Sequence, residues 1–207
     1  MRKALVEAMG TFFLVLVIGL TVLPPGAGSL APLAIGAMLM VMVYAGGPVS
    51  GGHYNPAVTL AVWLRGKCGT EDAWRYVGAQ LAGATLAAAL VGFLKRGAMV
   101  IAVQPPALPA FLVELVFTLA LAYVVLSVAT SKKSAGNSYF GLAIGFTVTA
   151  AAYAGGPISG GAFNPAVALG ITLMGLVAPA NLWVAVLGNL AGGALAALLF
   201  RATHLDA

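Results

Sequence analysis

Two asparagines, Asn55 and Asn164, are the residues of this chain best suited to chemistry inside an apolar wall. Each is followed by Pro-Ala, and the seventeen residues Tyr44–Leu60 return 109 residues later as Tyr153–Leu169, with thirteen identical positions. Asparagine is a strong helix N-cap, and proline is favoured at the first helical position. A capping Asn accepts backbone N–H groups through its side-chain oxygen and leaves its amide hydrogens free. Both residues could therefore donate to the oxygen of a water or a hydroxyl group.

A short apolar run follows each asparagine, Ala57–Leu64 in the first copy and Ala166–Met174 in the second. A helix of about nine residues is roughly 13 Å long, less than half of a ~30 Å hydrocarbon core. Each copy therefore predicts a loop that enters a membrane and a half-helix that returns. Such irregular backbone is tolerated at membrane depth only where it is buried in protein or lines a wet cavity.

The composition is that of a membrane protein. Of 207 residues, 61% are hydrophobic and 7% are charged, whereas soluble domains carry about 25% charged residues. We therefore predict one all-α membrane domain over residues 1–207. The net charge of +5 comes from too few basic residues to form a nucleic-acid-binding face. Cys68 is the only cysteine, which excludes an intrachain disulfide and a cysteine metal cluster and predicts a free loop thiol.

Six further apolar stretches are candidates for full membrane spans. They cover Ala4–Leu23, Leu30–Tyr44, Ala73–Leu94, Ala110–Ala129, Ser138–Ala154 and Asn181–Arg201. Three spans and one half-helix fall in each half of the chain, about residues 1–97 and 108–207. Because three is odd, the second half must be inserted upside down. An inverted repeat with broken helices places its functional site near the bilayer midplane, between the two repeats.

The lysines and arginines set the predicted orientation. With the N-terminus in the cytosol, eight of them lie at inner segments and only two, Lys95 and Arg96, lie outside, as the positive-inside rule requires. The inner ones are Arg2, Lys3, Arg65, Lys67, Arg75, Lys132, Lys133 and Arg201. This predicts cytoplasmic N- and C-termini, and the compact length favours a prokaryotic inner membrane.

The two half-helix N-termini carry partial positive charge and point at the same place. Cations, protons included, should be repelled there, while a neutral dipole is oriented and passes. Glycines before each Asn suit a descending backbone with carbonyls exposed to a lumen, or close helix packing. These glycines are Gly46, Gly51, Gly52, Gly155, Gly160 and Gly161. The pattern is typical of a passive pore for small neutral molecules.

The chain resembles the aquaporins, the major intrinsic protein family, over essentially its whole length. The doubled motif, Asn55-Pro56-Ala57 and Asn164-Pro165-Ala166, carries the resemblance, together with Ser50-Gly51-Gly52-His53 and a glutamate near the start of each half. It implies six transmembrane helices plus two re-entrant half-helices in an inverted repeat, with one pore per subunit and a homotetramer. Water and small neutral solutes are the predicted partners. No cofactor is predicted, and no metal site is expected at His53, because no second His, Cys or carboxylate lies near it in the sequence.

The resemblance also implies roles for single residues. His53 would line the cytosolic half of the pore, with Gly51, Gly52 and Gly160 also lining it, and Glu7 and Glu114 would brace the re-entrant loops by accepting backbone N–H groups. Two alternatives stay open: an intramembrane carboxylate is a functional hypothesis by default, here a proton-coupling site, and His53 could simply tether its loop. Gln80 and Asn189 are interpreted as hydrogen-bonding contacts between helices.

The sequence departs from the family at the outer selectivity filter. Most members carry an arginine directly after the second Asn-Pro-Ala, and here that position is Val167. The remaining filter positions correspond to Ile35, Ala151 or Ala152, and Gly161. This ring has no charge, no aromatic and no side-chain hydrogen bonder. It should be wide enough for glycerol, urea, ammonia or hydrogen peroxide as well as water.

Other interpretations remain open. Tyr44, Tyr54, Tyr153 or Phe163 could refill the ring and give a strict water channel. A wide apolar ring could also dewet, which would give a poorly conducting or structural membrane protein. A coupled transporter would have to use Glu7 and Glu114. An enzyme is not expected, because no nucleophile–base set, metal cluster or nucleotide-binding loop is present in the sequence.

Overall fold

Eight α-helices make up the fold in the computed structural model, which describes residues 1–204. They are α1 (Arg2–Val22), α2 (Ala31–Ser50), α3 (Pro56–Leu64), α4 (Thr70–Leu94), α5 (Ala107–Ala129), α6 (Phe140–Ser159), α7 (Pro165–Leu173) and α8 (Leu182–Thr203). All except α3 and α7 are long and apolar enough to cross a membrane. Helices α3 and α7 have nine residues each. The predicted all-α class, with six spans and two half-helices, is confirmed.

The helices before each loop are longer than predicted. Helix α2 ends at Ser50 instead of Tyr44, and α6 ends at Ser159 instead of Ala154. Each continues through a proline, Pro48 or Pro157, which neighbouring helices make tolerable at membrane depth. Each stops at a left-handed glycine, Gly51 with φ 94° and Gly160 with φ 93°, a conformation that costs glycine little.

Of the two roles predicted for the glycines before each asparagine, Gly46 and Gly155 have the second, close helix packing, because they lie inside helices. A Cβ atom on Gly46 would meet the hydroxyl of Tyr54, and one on Gly155 would come within 2.8 Å of Val113. These two glycines permit close packing, and they do not belong to the loops that descend from Gly51 and Gly160.

Contacts between helix ends define two sides of the molecule. At one side, which we call the basic end, Lys3 forms an ion pair of 2.8 Å with Asp72, and Arg201 donates to the carbonyl of Leu64. At the opposite end, Lys95 Nζ donates to the carbonyl of Leu23 at 3.1 Å. Helix α3 ends at Leu64 and so runs to the basic end.

Helix α7 runs the other way, because the segment after it reaches the opposite end. There Val103, in the loop that begins at Lys95, accepts from Ala178 N at 3.0 Å and donates to Leu176 O at 2.9 Å. Helices α1–α4 and α5–α8 thus repeat one order of two long, one short and one long helix. This order fits the predicted halves 1–97 and 108–207, of which residues 205–207 lie outside the described part.

The long helices pack in pairs, α1 on α4, α5 on α8 and α2 on α6. Glycine allows the first two pairs to approach closely: Gly83 of α4 abuts the carbonyl of Ala8, and Gly192 of α8 abuts the carbonyl of Leu115. Small residues at such crossings are typical of helix packing in membranes. Half-helix α3 packs mainly against α8, and half-helix α7 mainly against α4.

Candidate pore

The two asparagines cap the half-helices as predicted. Asn55 Oδ1 accepts from Ala57 N at 2.8 Å, and Asn164 Oδ1 accepts from Ala166 N at 2.9 Å. Pro56 and Pro165 stand at the first helical positions, where a missing N–H costs nothing. Both side chains are nearly buried, 3% and 4% exposed, and both line one central cavity.

Each asparagine also holds the opposite loop, which the sequence did not indicate. Asn55 Nδ2 donates to Phe163 O at 2.9 Å, and Asn164 Nδ2 donates to Tyr54 O at 2.8 Å. The prediction that each asparagine leaves both amide hydrogens free is therefore wrong: in each residue, one hydrogen is already bonded. Since a primary amide has two hydrogens, one per asparagine remains for a molecule in the cavity.

The carbonyls that accept these bonds belong to residues in an unusual conformation. Tyr54 and Phe163 both have φ 49°, a left-handed value that is uncommon outside glycine. Such strain persists only where the surroundings over-determine it. The hydroxyl of Tyr54 donates to Met42 O at 3.0 Å, and the ring of Phe163 packs edge-on against Phe117 at 5.5 Å. Buried side chains thus fix the two turns.

Glu7 is the main acceptor for the first loop. Its Oε1 accepts from Ser50 Oγ at 2.7 Å and His53 N at 3.0 Å, and its Oε2 accepts from Tyr54 N at 2.6 Å and Gln80 Nε2 at 2.9 Å. The side chain is 0% exposed. Four donors converge on one carboxylate, so the loop cannot shift without breaking several charge-assisted bonds.

Glu114 occupies the matching place in the second loop. Its Oε1 accepts from Ser159 Oγ at 2.8 Å and Ala162 N at 2.9 Å, and its Oε2 accepts from Phe163 N at 2.6 Å. It is 1% exposed. Among the described residues that line the central cavity, neither glutamate is included. This geometry favours the predicted brace over a proton-coupling site, which would need contact with the lumen.

His53 combines the two interpretations that the sequence left open. Its ring lines the central cavity, and its Nδ1 lies 3.1 Å from Thr59 Oγ1. Gln80 Nε2 donates to the same hydroxyl at 3.0 Å, and the Tyr76 ring packs edge-on against the imidazole at 5.2 Å. The imidazole is thus held in one orientation at the wall.

The central cavity has a volume of about 230 Å³ and extends from the two asparagines to Val22 and Pro32 at the opposite end. The predicted filter residues Ile35, Gly161 and Val167 all line it. Ala152 lines it too, whereas Ala151 does not and is 1% exposed. Gly52 and Gly160 also border this cavity.

No tyrosine fills the predicted ring in the described structure. The hydroxyl of Tyr44 donates to Ser138 O at 3.1 Å, and that of Tyr153 donates to Ser29 O at 2.8 Å. Tyr54 and Phe163 border the cavity, but their side chains are 0% and 1% exposed. The hydroxyls of Tyr44 and Tyr153 therefore bond elsewhere, and the width of the ring stays a prediction.

A second cavity of about 430 Å³ opens at the basic end. Gly51 lines this cavity and not the central one, as do Lys3, Cys68 and Asp72. Burial raises the pKa of the Cys68 thiol, and the charge of Asp72 adds to the effect. His53 and Val125 line both cavities. The two spaces therefore meet at His53 and Val125, and Val125 carried no signal in the sequence.

Comparison with known proteins places this geometry in a family. A family model described as major intrinsic protein matches residues 1–200. Aquaporin NIP1-4 of Oryza sativa subsp. japonica is 36% identical, over 99% of this chain and 78% of its own length. Glycerol uptake facilitator protein-like 6 of Lactiplantibacillus plantarum is also 36% identical, over 97% of both chains.

Among solved structures, the aquaglyceroporin from Plasmodium falciparum has the same fold. It superimposes with a TM-score of 0.80 over 99% of this chain and 96% of its own, at 21% identity.

Proposed function

This chain belongs to the major intrinsic protein family, and we propose that it conducts water together with small uncharged solutes, glycerol first among them. Membership makes it a multi-pass membrane channel and not an enzyme, which confirms the class predicted from the sequence. The names of its relatives include both aquaporins and a glycerol uptake facilitator. The solute range is our proposal, and the central cavity supports it.

The observation that carries the proposal is the continuity of that cavity past the ring of Ile35, Ala152, Gly161 and Val167. A charged or aromatic side chain at this level would divide the space, and none of these four residues is charged or aromatic. The carbon backbone of glycerol can contact the apolar wall, while its hydroxyl groups must keep water molecules or backbone carbonyls as hydrogen-bond partners, since an unpaired hydroxyl is costly. The ring therefore suits solutes larger than water.

Hydrogen bonding is concentrated at the level of the asparagines. Each offers one amide hydrogen to an oxygen, since the other is held by the opposite loop. The N-termini of α3 and α7 converge here, and each acts as about +0.5 elementary charge. We propose that a water or hydroxyl oxygen is held at this point while cations are repelled. Without an arginine at position 167, cation exclusion depends on this level.

We further propose that the basic end faces the cytosol and that four copies assemble, each with its own pore. The distribution of lysine and arginine supports the orientation. A prokaryotic plasma membrane is supported by the bacterial relative, which matches this chain over 97% of both lengths, whereas the rice aquaporin is covered over 78% of its length.

Stopped-flow light scattering on proteoliposomes tests the proposed function. Osmotic shrinkage in sucrose reports water flux, and re-swelling in glycerol reports solute flux. Wild type should pass both, and Val167→Arg should lose glycerol while it retains water. Val167→Leu adds size without charge and is the matched control. Passage of water alone by wild type would contradict the wide ring, and passage of neither would favour a closed or structural protein.

A further inference from the structure

The two copies of the loop differ at four of their seventeen positions, and two of these differences belong together. His53 and Thr59 in the first copy are replaced by Ala162 and Ala168 in the second. In the first copy the two side chains contact each other, with 3.1 Å between His53 Nδ1 and Thr59 Oγ1. The imidazole and the hydroxyl therefore form one unit that only the first half of the pore contains.

Gln80 determines the direction of the hydrogen bonds in this unit. Its Nε2 donates to Glu7 Oε2 at 2.9 Å and to Thr59 Oγ1 at 3.0 Å, which uses both amide hydrogens. Gln80 Oε1 has no partner among residues 1–204. The reverse orientation would leave two buried hydrogens unpaired instead and would place the amide oxygen against a carboxylate that only accepts. Thr59 Oγ1 is therefore an acceptor toward Gln80.

The hydroxyl of Thr59 then has one direction left for its hydrogen. In the described part of the chain, its hydrogen-bonding neighbours are Gln80 Nε2 and His53 Nδ1. Since Gln80 donates, the hydroxyl hydrogen goes to Nδ1. If Nδ1 carried a proton, Thr59 would accept twice and keep its own hydrogen unpaired, in a side chain that is 1% exposed, which is unfavourable. His53 Nδ1 is therefore an acceptor.

The other ring nitrogen of His53 faces the pore. A Cβ atom on Gly51 would lie 3.2 Å from His53 Nε2, and Gly51 lines the cavity at the basic end. His53 lines the central cavity as well, so Nε2 lies where the two spaces meet. The Tyr76 ring, whose hydroxyl donates to Ser50 O at 2.7 Å, packs edge-on against the imidazole and holds it in this orientation.

We infer that Thr59 and Gln80 hold His53 as the neutral tautomer with its proton on Nε2, and that this N–H is a fixed hydrogen-bond donor in the pore. A neutral imidazole carries one N–H, so an accepting Nδ1 leaves the proton on Nε2. The donor serves an oxygen of water or of a solute hydroxyl at the level of His53 and Val125. The tautomer is independent of the solute, whereas the role of this donor in the pore rests on the proposed channel function.

A fixed donor at this level opposes the passage of cations. Nε2–H turns the positive end of its dipole toward ammonium or a hydrated proton, and neither gains a hydrogen-bond acceptor from it. The ring also cannot relay a proton, because Nδ1 is already bonded to Thr59 behind the wall. His53 thus adds a second level of cation exclusion to that of the two asparagines, in a chain with valine at position 167.

The direct test is ¹⁵N NMR of the imidazole nitrogens in wild-type protein that is labelled with ¹⁵N-histidine and held in lipid. The chain has two histidines, His53 and His204, so His204→Ala assigns the signals of His53. Protonated and unprotonated ring nitrogens give well-separated signals. We expect Nδ1 of His53 to be unprotonated and Nε2 to be protonated. A protonated Nδ1, in the other tautomer or in an imidazolium, would overturn the inference.

Thr59→Val and Thr59→Ser separate the hydroxyl from the shape of residue 59. Valine keeps the size without the hydroxyl, so part of the His53 rings should carry the proton on Nδ1 and turn a lone pair toward the pore. Serine keeps the hydroxyl and should give the wild-type spectrum. An unchanged spectrum in Thr59→Val would show that Thr59 does not fix the tautomer. The wild-type spectrum decides the tautomer even if the valine variant does not fold.

Proteoliposomes test the role of the donor in the pore. Decay of an imposed pH gradient reports proton leak, and osmotic shrinkage reports water flux in the same vesicles. The ratio of proton to water permeability should rise several-fold in Thr59→Val and keep the wild-type value in Thr59→Ser. Water flux with an unchanged ratio in Thr59→Val would overturn the role in cation exclusion. A lack of water flux in wild type would instead contradict the proposed channel function, while the NMR result would still decide the tautomer.

Discussion

The side-chain amide of Asn55 donates a hydrogen bond of 2.9 Å to the backbone carbonyl of Phe163, a residue 108 positions away. Asn164 returns the bond to Tyr54 O at 2.8 Å. The two half-helices are therefore tied to each other through their capping residues. Each cap also accepts backbone N–H groups of its own helix. One asparagine side chain therefore holds the start of its own helix and the opposite turn, and it orients its second amide hydrogen.

This double role predicts a separable effect of Asn55→Ser. Serine retains the N-cap but is too short to reach Phe163, so only the bond between the loops is lost. We expect a loss of about 1 kcal/mol in the free energy of unfolding and a clear fall in water permeability. Unfolding in detergent and stopped-flow scattering measure the two effects.

Asn55→Ala is the matched control, since it also removes the cap and should cost about 1 kcal/mol more. Equal stability of the serine and alanine variants would mean that the bond to Phe163, and not the cap, carries the stabilisation.

Glu7→Gln and Glu114→Gln test the proposed braces. Glutamine keeps the shape but loses the charge and replaces one acceptor with an NH₂ group, which opposes the backbone N–H donors. Hydrogen bonds to charged groups contribute about 1.5–3 kcal/mol each, so both variants should melt at a clearly lower temperature. The effect should be larger at Glu7, which accepts four bonds, than at Glu114, which accepts three.

The same variants separate the brace from proton coupling. If the glutamates only brace the loops, solute flux in wild type should not respond to a pH gradient across the membrane. Uptake driven by such a gradient, and lost in Glu7→Gln at unchanged melting temperature, would support coupling instead.

The sequence predicted the half-helices well because local chemistry decides them. Asn55 and Asn164 are caps whatever surrounds them, and the nine-residue runs after them are too short to span a bilayer. The sequence failed where packing overrides local signals. Gly46 and Pro48 resemble loop residues, yet α2 continues through them because Tyr54 and the neighbouring helices cover that face.

Long-range features had no sequence signal at all. The bond from Asn55 to Phe163 depends on the two turns meeting in the fold, and the spacing of residues along the sequence does not show that contact. Val125 is one of many valines in α5, and it borders both cavities only because α5 packs beside the His53 loop. Whether Ala151 or Ala152 faces the cavity likewise depends on the rotation of α6 about its axis. The sequence could not decide this, because a one-residue gap between the repeats shifts the assignment by one position.

Cys68 offers a test of orientation without any added label site. It is partly exposed, lies in the loop at the basic end, and lines the cavity there. In inside-out vesicles, but not in right-side-out ones, a membrane-impermeant maleimide should modify it if the basic end is cytosolic. Labelling only from the outside would reverse the proposed topology. Cys68→Ser is the control.

The rate of that labelling should depend on pH in a defined direction. Since burial and Asp72 raise the pKa of the thiol above its usual range, the reactive thiolate should be scarce at neutral pH and increase as pH rises into the alkaline range. Asp72→Asn removes one contribution and should shift the rate profile to lower pH. An unchanged profile would mean that Asp72 has no influence on the thiol.

The narrowest part of the pore should lie at His53 and Val125. Among the described residues, these two border both the central cavity and the cavity at the basic end. Val125→Ala should therefore increase glycerol flux several-fold, whereas Val167→Ala, in a ring without charged or aromatic side chains, should change it little.

His53→Ala should widen the same level, but it also removes a contact to Thr59, so its melting temperature must be measured alongside. Initial rates of re-swelling in glycerol and in larger polyols give the size limit for each variant. If Val167→Ala moved this limit and Val125→Ala did not, the selective level would lie at the opposite end, and the apolar ring would be narrower in the membrane than its residue types predict.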